Sequence, residues 1–308
     1  MGIPSVVSKG GRIHRVLQKT HGAGMAALTS HPVIASFFRL KKAIGSGSYG
    51  DVYEAVDERT RACVAVKLEP VSAKFPQLVY EHRVLEELAA CHGFPRVVWF
   101  ETNDVYNVMV MQKLGKSLED VRTSRGGTLD LDTVLKIARE ALDRLEACHV
   151  RGIAYRDIKT QNFLFGLVKK DGADVFLIDF GLCKRVANPV SGVHIPMRTD
   201  KKLVGTPRYA SLNAHRGIEQ SRRDDVESLV YLLVFLAKGR LPWQTGPDTG
   251  CSSMSALLRR VAKVKMETDV RQLCDGLPPM FANTLTYARE LAFEAMPDYT
   301  LLNHMWRR

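Results

Sequence analysis

The sequence predicts an α+β fold in two lobes: a small antiparallel β lobe carrying one helix, then a larger, mainly α-helical lobe. Three observations predict it. The chain has 308 residues, more than one ordinary domain needs. From Phe37 to about residue 111, short β-branched and aromatic runs alternate with turn residues, the mark of antiparallel strands. After Gly115 the apolar residues fall at helical spacing instead.

Residues 1–36 are rich in Gly, Ser, His and basic side chains and are expected to form a flexible basic extension. Residues 1–42 carry seven basic residues and no acid; removing those seven from the net charge of +11 leaves +4 for the rest. The folded body is thus only mildly basic. With no zinc finger, RNP motif or basic helix, no specific nucleic-acid partner is expected. Strands are expected at residues 52–53, 63–68, 97–100 and 106–111, with one helix over about 77–91. On that helix Leu78, Glu81, Leu85 and Leu88 lie at i, i+3, i+7 and i+10, so a carboxylate shares the apolar face.

A connector at about 112–115 separates the first lobe (37–111) from the second (116–308). In the second, Leu131, Val134, Leu135, Ala138, Ala141, Leu142, Leu145 and Cys148 trace one face of a long helix. The run 229–237 is apolar on every side, which suits a helix central to that lobe. It is far shorter than the ~20 residues a bilayer crossing needs. No signal peptide is recognisable, and the six cysteines lack CxxC or metal-ligand spacing. Reduced thiols, a cytoplasmic or nuclear location and no membrane association are expected.

Gly45-Ser46-Gly47-Ser48-Tyr49-Gly50 is a GxGxxG loop, a pattern that serves more than one phosphate ligand. A dinucleotide loop opens a helix and expects an acid about 20 residues on; Glu69 falls near that place. Asp51-Val52-Tyr53-Glu54-Ala55-Val56, however, alternates like a strand, so a hairpin whose amides approach phosphates is preferred. Val64-Ala65-Val66-Lys67 puts a lysine on an apolar strand. Its stem could snorkel from a strand edge. Glu81 on an apolar helix face is costly unless paired, though, and Lys67 is its natural partner. Tyr155-Arg156-Asp157-Ile158-Lys159-Thr160-Gln161-Asn162 offers a base, a phosphate donor and a metal ligand in one loop. Val175-Phe176-Leu177-Ile178 then runs into Asp179-Phe180-Gly181, an apolar strand ending in a carboxylate.

Four such elements in this order resemble the eukaryotic protein kinase superfamily, and the details resemble the casein kinase 1 family. The stretch 205–228 is the most specific, because it places Ser211-Leu212-Asn213 where most kinases have Ala-Pro-Glu. Leu241-Pro242-Trp243-Gln244 and Pro297-Asp298-Tyr299 extend the resemblance over about residues 37–308.

The resemblance implies a bilobal kinase fold and a Ser/Thr protein kinase that uses ATP and Mg²⁺. It implies that Gly45, Ser46, Gly47, Ser48, Tyr49, Gly50 and Asp51 cover the ATP phosphates, and that Lys67, held by Glu81, binds the α- and β-phosphates. Ile44, Val52, Ala65, Leu164 and Ile178 would enclose adenine, with Met111 as gatekeeper and the Leu114 backbone bonding the base. Asp157 would accept the substrate hydroxyl's proton, Lys159 would neutralise the transferring group, and Asn162 and Asp179 would hold Mg²⁺. Asp225 resembles the buried acid that braces the catalytic loop. Protein substrates with acidic or phosphorylated sites are the implied partners of a monomeric enzyme, with Arg208, Lys201, Lys184 and Arg156 as contacts for a substrate phosphate. A catalytically weak pseudokinase or scaffold is the alternative, against which Lys67, Asp157, Asn162 and Asp179 are all present.

The chain departs from the family pattern at three places. Tyr155 replaces the commoner histidine, and Thr160-Gln161 replaces Pro-Asp or Pro-Glu. Residues 245–258 hold no basic side chain, where relatives are lysine-rich and one lysine lines a substrate-phosphate pocket. That lysine's position is expected at Leu257 or Met254, and a shallower preference for phosphorylated over acidic substrates follows. After Arg308 the long C-terminal tail of many relatives is expected to be missing.

Overall fold

The computed structural model describes residues 33–47, 50–167, 174–244 and 253–307. These form two compact units. The first takes the described chain through Ala89 together with Pro95–Leu114, and the second takes Ala90–Phe94 and the chain from Gly115 on.

In the first unit lie β1 (Val33–Ile34), β2 (Phe38–Gly47), β3 (Gly50–Asp57), β4 (Cys63–Pro70), α1 (Leu78–Glu87), β5 (Val97–Thr102) and β6 (Tyr106–Gln112). The strands make one antiparallel sheet in the order β1-β2-β3-β4-β6-β5. The extension expected to reach residue 36 stops short of it. Val33 and Ile34 pair with Arg39 and Phe38 across a turn in which Ala35 and Ser36 adopt φ of 46° and 66°. Ile34 is buried beside Phe38 and Leu40, and that apolar contact recruits the segment to the sheet. Residues 1–32 lie outside the described residues, as do Ser48 and Tyr49 of the glycine loop.

Strand alternation sends Val64, Val66 and Leu68 of β4 into the sheet's apolar core, so Ala65, Lys67 and Glu69 fall on the opposite face. Helix α1 is shorter than the expected 77–91. Leu88 caps it, and residues 90–94 belong to the second unit, where the Leu177 N–H donates to the Gly93 carbonyl at 2.9 Å.

The second unit contains α2 (Leu118–Ser124), α3 (Leu131–Val150), β7 (Ile153–Ala154), β8 (Phe163–Phe165), β9 (Val175–Leu177), β10 (Lys184–Arg185), α4 (Leu212–His215), α5 (Arg222–Lys238), α6 (Met254–Glu267), α7 (Val270–Cys274), α8 (Pro279–Glu290) and α9 (Tyr299–Trp306). Strand β8 pairs with β9 and β7 with β10, both antiparallel. Helix α5 is buried around its whole circumference from Asp224 to Leu236 and packs against α3 and α8, as its unbroken apolar run requires. Side chains of Ser117, Asp130, Ser211, Ser253, Asp269 and Asp298 accept first-turn N–H groups, which satisfies donors that a helix start leaves unpaired. Among the described residues no helix is long and apolar enough to cross a membrane.

Candidate active site

The residues expected to meet the nucleotide's phosphates from the first unit stand on β2, β3, β4 and α1. Gly45 pairs with Val52, Val52 with Lys67, and Ala65 with Met111, so these candidates form neighbouring rungs of one ladder. Lys67 Nζ lies 2.7 Å from Glu81 Oε2, with both side chains buried. The pair is what a carboxylate on the apolar face of α1 demands. Ile44 is exposed, whereas Met111 and Leu114 are buried. Glu69 does not serve a loop-bound ligand. Its carboxylate accepts the N–H groups of Gln77 at 2.7 Å and Leu78 at 3.1 Å, and Asn107 Nδ2 at 3.0 Å. It is the electrostatic cap of α1, which removes the acid that a dinucleotide reading would have needed.

In the second unit the catalytic-loop candidates converge. Asp157 is buried, with Lys159 Nζ 2.6 Å from one carboxylate oxygen and Thr206 Oγ1 donating to the other at 2.9 Å. Asn162 Nδ2 donates to the Asp157 carbonyl at 3.1 Å and to the Tyr155 hydroxyl at 2.8 Å. The Tyr155 hydroxyl in turn donates to the Ile178 carbonyl at 2.6 Å, and its ring meets Phe180 edge-on at 5.3 Å. Tyrosine therefore fills the usual histidine position as both packing ring and polar strut. Leu164 sits on β8, opposite Phe176, and the Ile178 N–H donates to the Asn162 carbonyl at 2.9 Å. Asp179 has φ of 62°, a left-handed conformation rare for a non-glycine residue.

Asp225, at the start of α5, accepts the backbone N–H groups of Tyr155 at 2.6 Å and Arg156 at 2.7 Å. It also pairs with His149 Nε2 at 3.0 Å, and the Tyr299 hydroxyl lies 2.6 Å from His149 Nδ1. Burial pushes the His149 pKa down, opposed by Asp225. A neutral ring donating from Nε2 and accepting at Nδ1 satisfies both partners. Gly205 completes the bracing: its φ is 90°, and a Cβ there would lie 2.2 Å from the Arg156 carbonyl. Only glycine lets that strand of chain pass against the loop.

The four cations expected to meet a substrate phosphate divide. Lys184 and Lys201 lie 3.0 and 3.3 Å from Glu219, and Arg156 lies 3.8 Å from it. Arg208 stands apart from that carboxylate, its guanidinium over the rings of Phe235 at 5.1 Å and Tyr209 at 5.8 Å. Burial raises the Glu219 pKa, but Lys184 and Lys201 outweigh it and the group ends below its ordinary value. Residues 245–252 of the stretch without basic residues lie outside the described residues, whereas Met254 and Leu257 stand on the first turns of α6.

Sequence reasoning missed Glu219, Thr206 and Lys265. Lys265 had a usable signal: it follows Leu258 by seven residues and Val261 by four, on the apolar face of α6. Its buried ammonium donates to the carbonyls of Ala210 at 2.6 Å, Pro207 at 3.1 Å and Arg208 at 3.3 Å. Thr160, where the family pattern has proline, is buried and donates to Glu119 at 2.6 Å, tying the 155–162 loop to α2. The Ser211-Leu212-Asn213 segment is anchored by α5 rather than by a glutamate of its own: Ser211 Oγ donates to Asp224 at 2.6 Å and the Leu212 N–H to Glu227 at 3.0 Å.

A family model of the protein kinase domain matches residues 38–278, well over half of the chain. The match spans the glycine loop, the Lys67–Glu81 pair, the Asp157 loop and the Asp179 strand end, and the sheet-bearing first unit with a helical second unit is the fold of that family. The chain belongs to the eukaryotic protein kinase superfamily.

Proposed function

We propose that this kinase is a serine/threonine enzyme of the casein kinase 1 type, transferring the γ-phosphoryl group of ATP to hydroxyls of acidic or already phosphorylated proteins. The observation that carries the reading is the Asp157 carboxylate, each oxygen of which is held by a donor, Lys159 on one and Thr206 on the other. A carboxylate fixed in this way can receive the hydroxyl proton as the new P–O bond forms. Lys159 stands beside it to offset charge on the transferred group. Lys67, oriented by Glu81, would take the α- and β-phosphates under the amides of the 45–50 loop, while Ala65 and Met111, paired across β4 and β6, offer adenine an apolar surface.

Asn162 and Asp179 would hold Mg²⁺, whose chemistry at the site is neutralisation of phosphate charge. Two oxygen donors suit that ion, and the Asn162 amide nitrogen is engaged by Tyr155 and Asp157, which leaves its oxygen to offer. Arg156, Lys184 and Lys201 surround one carboxylate, a surplus of two positive charges (three less one) that favours acidic or phosphorylated substrates. Helices α8 and α9 pack on α5 and α3, so the kinase domain would run on past residue 278 to the end of the described chain. A monomer with protein substrates, in the cytoplasm or nucleus, completes the proposal.

The test is transfer of labelled phosphate from ATP to casein, with and without Mg²⁺. Transfer to Ser and Thr should require the metal, and Asp157→Asn should lower kcat by about 10²- to 10⁴-fold, the range of a general base. Retention of the full rate by Asp157→Asn, or transfer to tyrosine alone, overturns the reading.

A further inference from the structure

A line of hydrogen bonds crosses the core of the second unit, from α9 to the backbone beside Asp157. Tyr299, the first residue of α9, places its hydroxyl 2.6 Å from His149 Nδ1 on α3. His149 Nε2 lies 3.0 Å from Asp225 Oδ2 on α5, and the two Asp225 oxygens accept the N–H groups of Tyr155 and Arg156. Tyr299, His149 and Asp225 are all buried. Chemistry sets the direction of each bond. A carboxylate only accepts, so Nε2 must carry the proton. A neutral ring then has only a lone pair at Nδ1, and the Tyr299 hydroxyl must donate to it. Burial favours both roles, because it pushes the His149 pKa down and the Tyr299 pKa up.

Which nitrogen of a neutral histidine holds the proton is set by what the other nitrogen meets. Without the hydroxyl, the ring could take the other tautomer and turn a lone pair towards Asp225. The carboxylate would lose a donor, and its hold on the Tyr155 and Arg156 amides would shift. The loop is sensitive at this point. Arg156 has φ of 68°, which a non-glycine residue keeps only where its surroundings enforce it, and Asp157 comes next in the chain. Helix α9 does not need the hydroxyl to stay in place. Leu302 and Trp306 are buried, Trp306 Nε1 donates to Thr284 Oγ1 at 3.0 Å, and Arg139 Nη1 donates to the Trp306 carbonyl at 3.2 Å. The hydroxyl is thus available for a task other than holding the helix.

We propose that Tyr299 is a positioning residue for phosphoryl transfer: its hydroxyl fixes the tautomer of His149, and through Asp225 it sets the backbone that carries Asp157. The proposal rests on the kinase reading above and adds to it a buried residue of α9. A small misplacement of a reacting group costs rate. Binding of the nucleotide and of the substrate does not pass through this line. Tyr299→Phe should therefore lower kcat about tenfold, equal to ~1.4 kcal/mol, and leave KM for ATP and for casein unchanged.

The experiment compares the full chain as wild type, Tyr299→Phe, His149→Gln and the double variant, with casein, ATP and Mg²⁺. Long-range proton–nitrogen NMR on histidine-labelled protein reads the tautomer, the His149 signals being those lost in His149→Gln. Wild type should show a neutral ring protonated at Nε2, and Tyr299→Phe should populate the form protonated at Nδ1. Amide exchange at Tyr155 and Arg156 should quicken in Tyr299→Phe about tenfold, the same ~1.4 kcal/mol. Glutamine has no tautomer to fix, so adding Tyr299→Phe to His149→Gln should cost no further kcat. A wild-type ring that is charged or protonated at Nδ1 overturns the proposal. So does a Tyr299→Phe protein with unchanged kcat, with unchanged amide exchange, or with its loss carried by KM. A tenfold loss that persists beside His149→Gln, or a Tyr299→Phe chain that does not fold, would make the hydroxyl a structural strut and overturns it as well. Absence of transfer by wild type would instead sink the kinase reading, and the tautomer and amide exchange would still decide the positioning.

Discussion

Two glycines of the 45–50 loop, proposed above to cover the phosphates, are glycine for different reasons. Gly50 has φ of 124°, and a Cβ there would sit 2.2 Å from the Leu68 carbonyl on the adjacent strand. Gly45 is extended, and its Cβ would meet only the Val52 side chain at 3.6 Å, an ordinary contact. Gly50→Ala is therefore expected to lose about 1–3 kcal/mol of stability, the cost of holding an L-residue in such a conformation. Gly45→Ala should keep its unfolding midpoint and raise KM for ATP, since a methyl group there obstructs only a ligand. Denaturant unfolding and ATP titration of the two variants check this. An unchanged KM in Gly45→Ala would mean that the loop does not approach the phosphates at that residue.

Helix α6 shows how one buried cation can organise an element, and its neighbour His215 makes the effect measurable. Lys265 Nζ lies 3.2 Å from His215 Nε2, and burial holds the Lys265 pKa down to about 7. The His215 pKa is pushed down to about 4, first by burial and then by the Lys265 charge. An unfolded histidine binds its proton near pH 6.5. Between pH 6.5 and about 4 the unfolded chain therefore carries more protons at this site, and stability falls as pH falls. Wild type is expected to lose its advantage over His215→Gln across that window, by at most ~1.4 kcal/mol per pH unit. A pH-independent difference would mean that His215 is not held neutral. The same comparison of elements shows what was legible in the sequence. Glu81 was found because a carboxylate interrupts the apolar face of α1, and Lys265 interrupts the face of α6 in the same way. The sheet strands and the Asp157 loop were readable because period and spacing are local. Glu219 was not, because it lies outside regular structure and meets Lys184, Lys201 and Arg156 only through tertiary folding. The β1 turn escaped because Ala35 and Ser36, not glycine or asparagine, adopt its positive φ.

At the scale of the whole molecule the question is what holds the segment after Asp179 in order. Many kinases leave that segment disordered until a phosphate on it pairs with an arginine beside the catalytic base. By position the matching arginine would be Arg156, next to the proposed base Asp157, and the chain's own Glu219 carboxylate lies 3.8 Å from it. Glu219 joins Arg156 of the catalytic loop, Lys184 of β10 and Lys201 of the segment leading to Gly205. Arg156 Nε also donates to the Leu182 carbonyl at 2.9 Å, and Gln220 Nε2 to the Val204 carbonyl at 3.0 Å, so both ends of the segment are tied from the same place. A built-in anion should make a covalent one unnecessary. Phosphatase-treated protein is expected to keep most of its rate on an unphosphorylated acidic peptide. Glu219→Gln should lower kcat/KM on that peptide about tenfold, equal to ~1.4 kcal/mol. This is less than the ~3–5 kcal/mol of breaking a fully buried pair, because the Lys184 and Lys201 side chains are 34% and 38% exposed. Inorganic phosphate should restore part of the loss in Glu219→Gln, since it returns negative charge to the same three cations. A near-complete loss of wild-type rate on phosphatase treatment, recovered by an upstream kinase, would show that the internal carboxylate does not substitute for a phosphate.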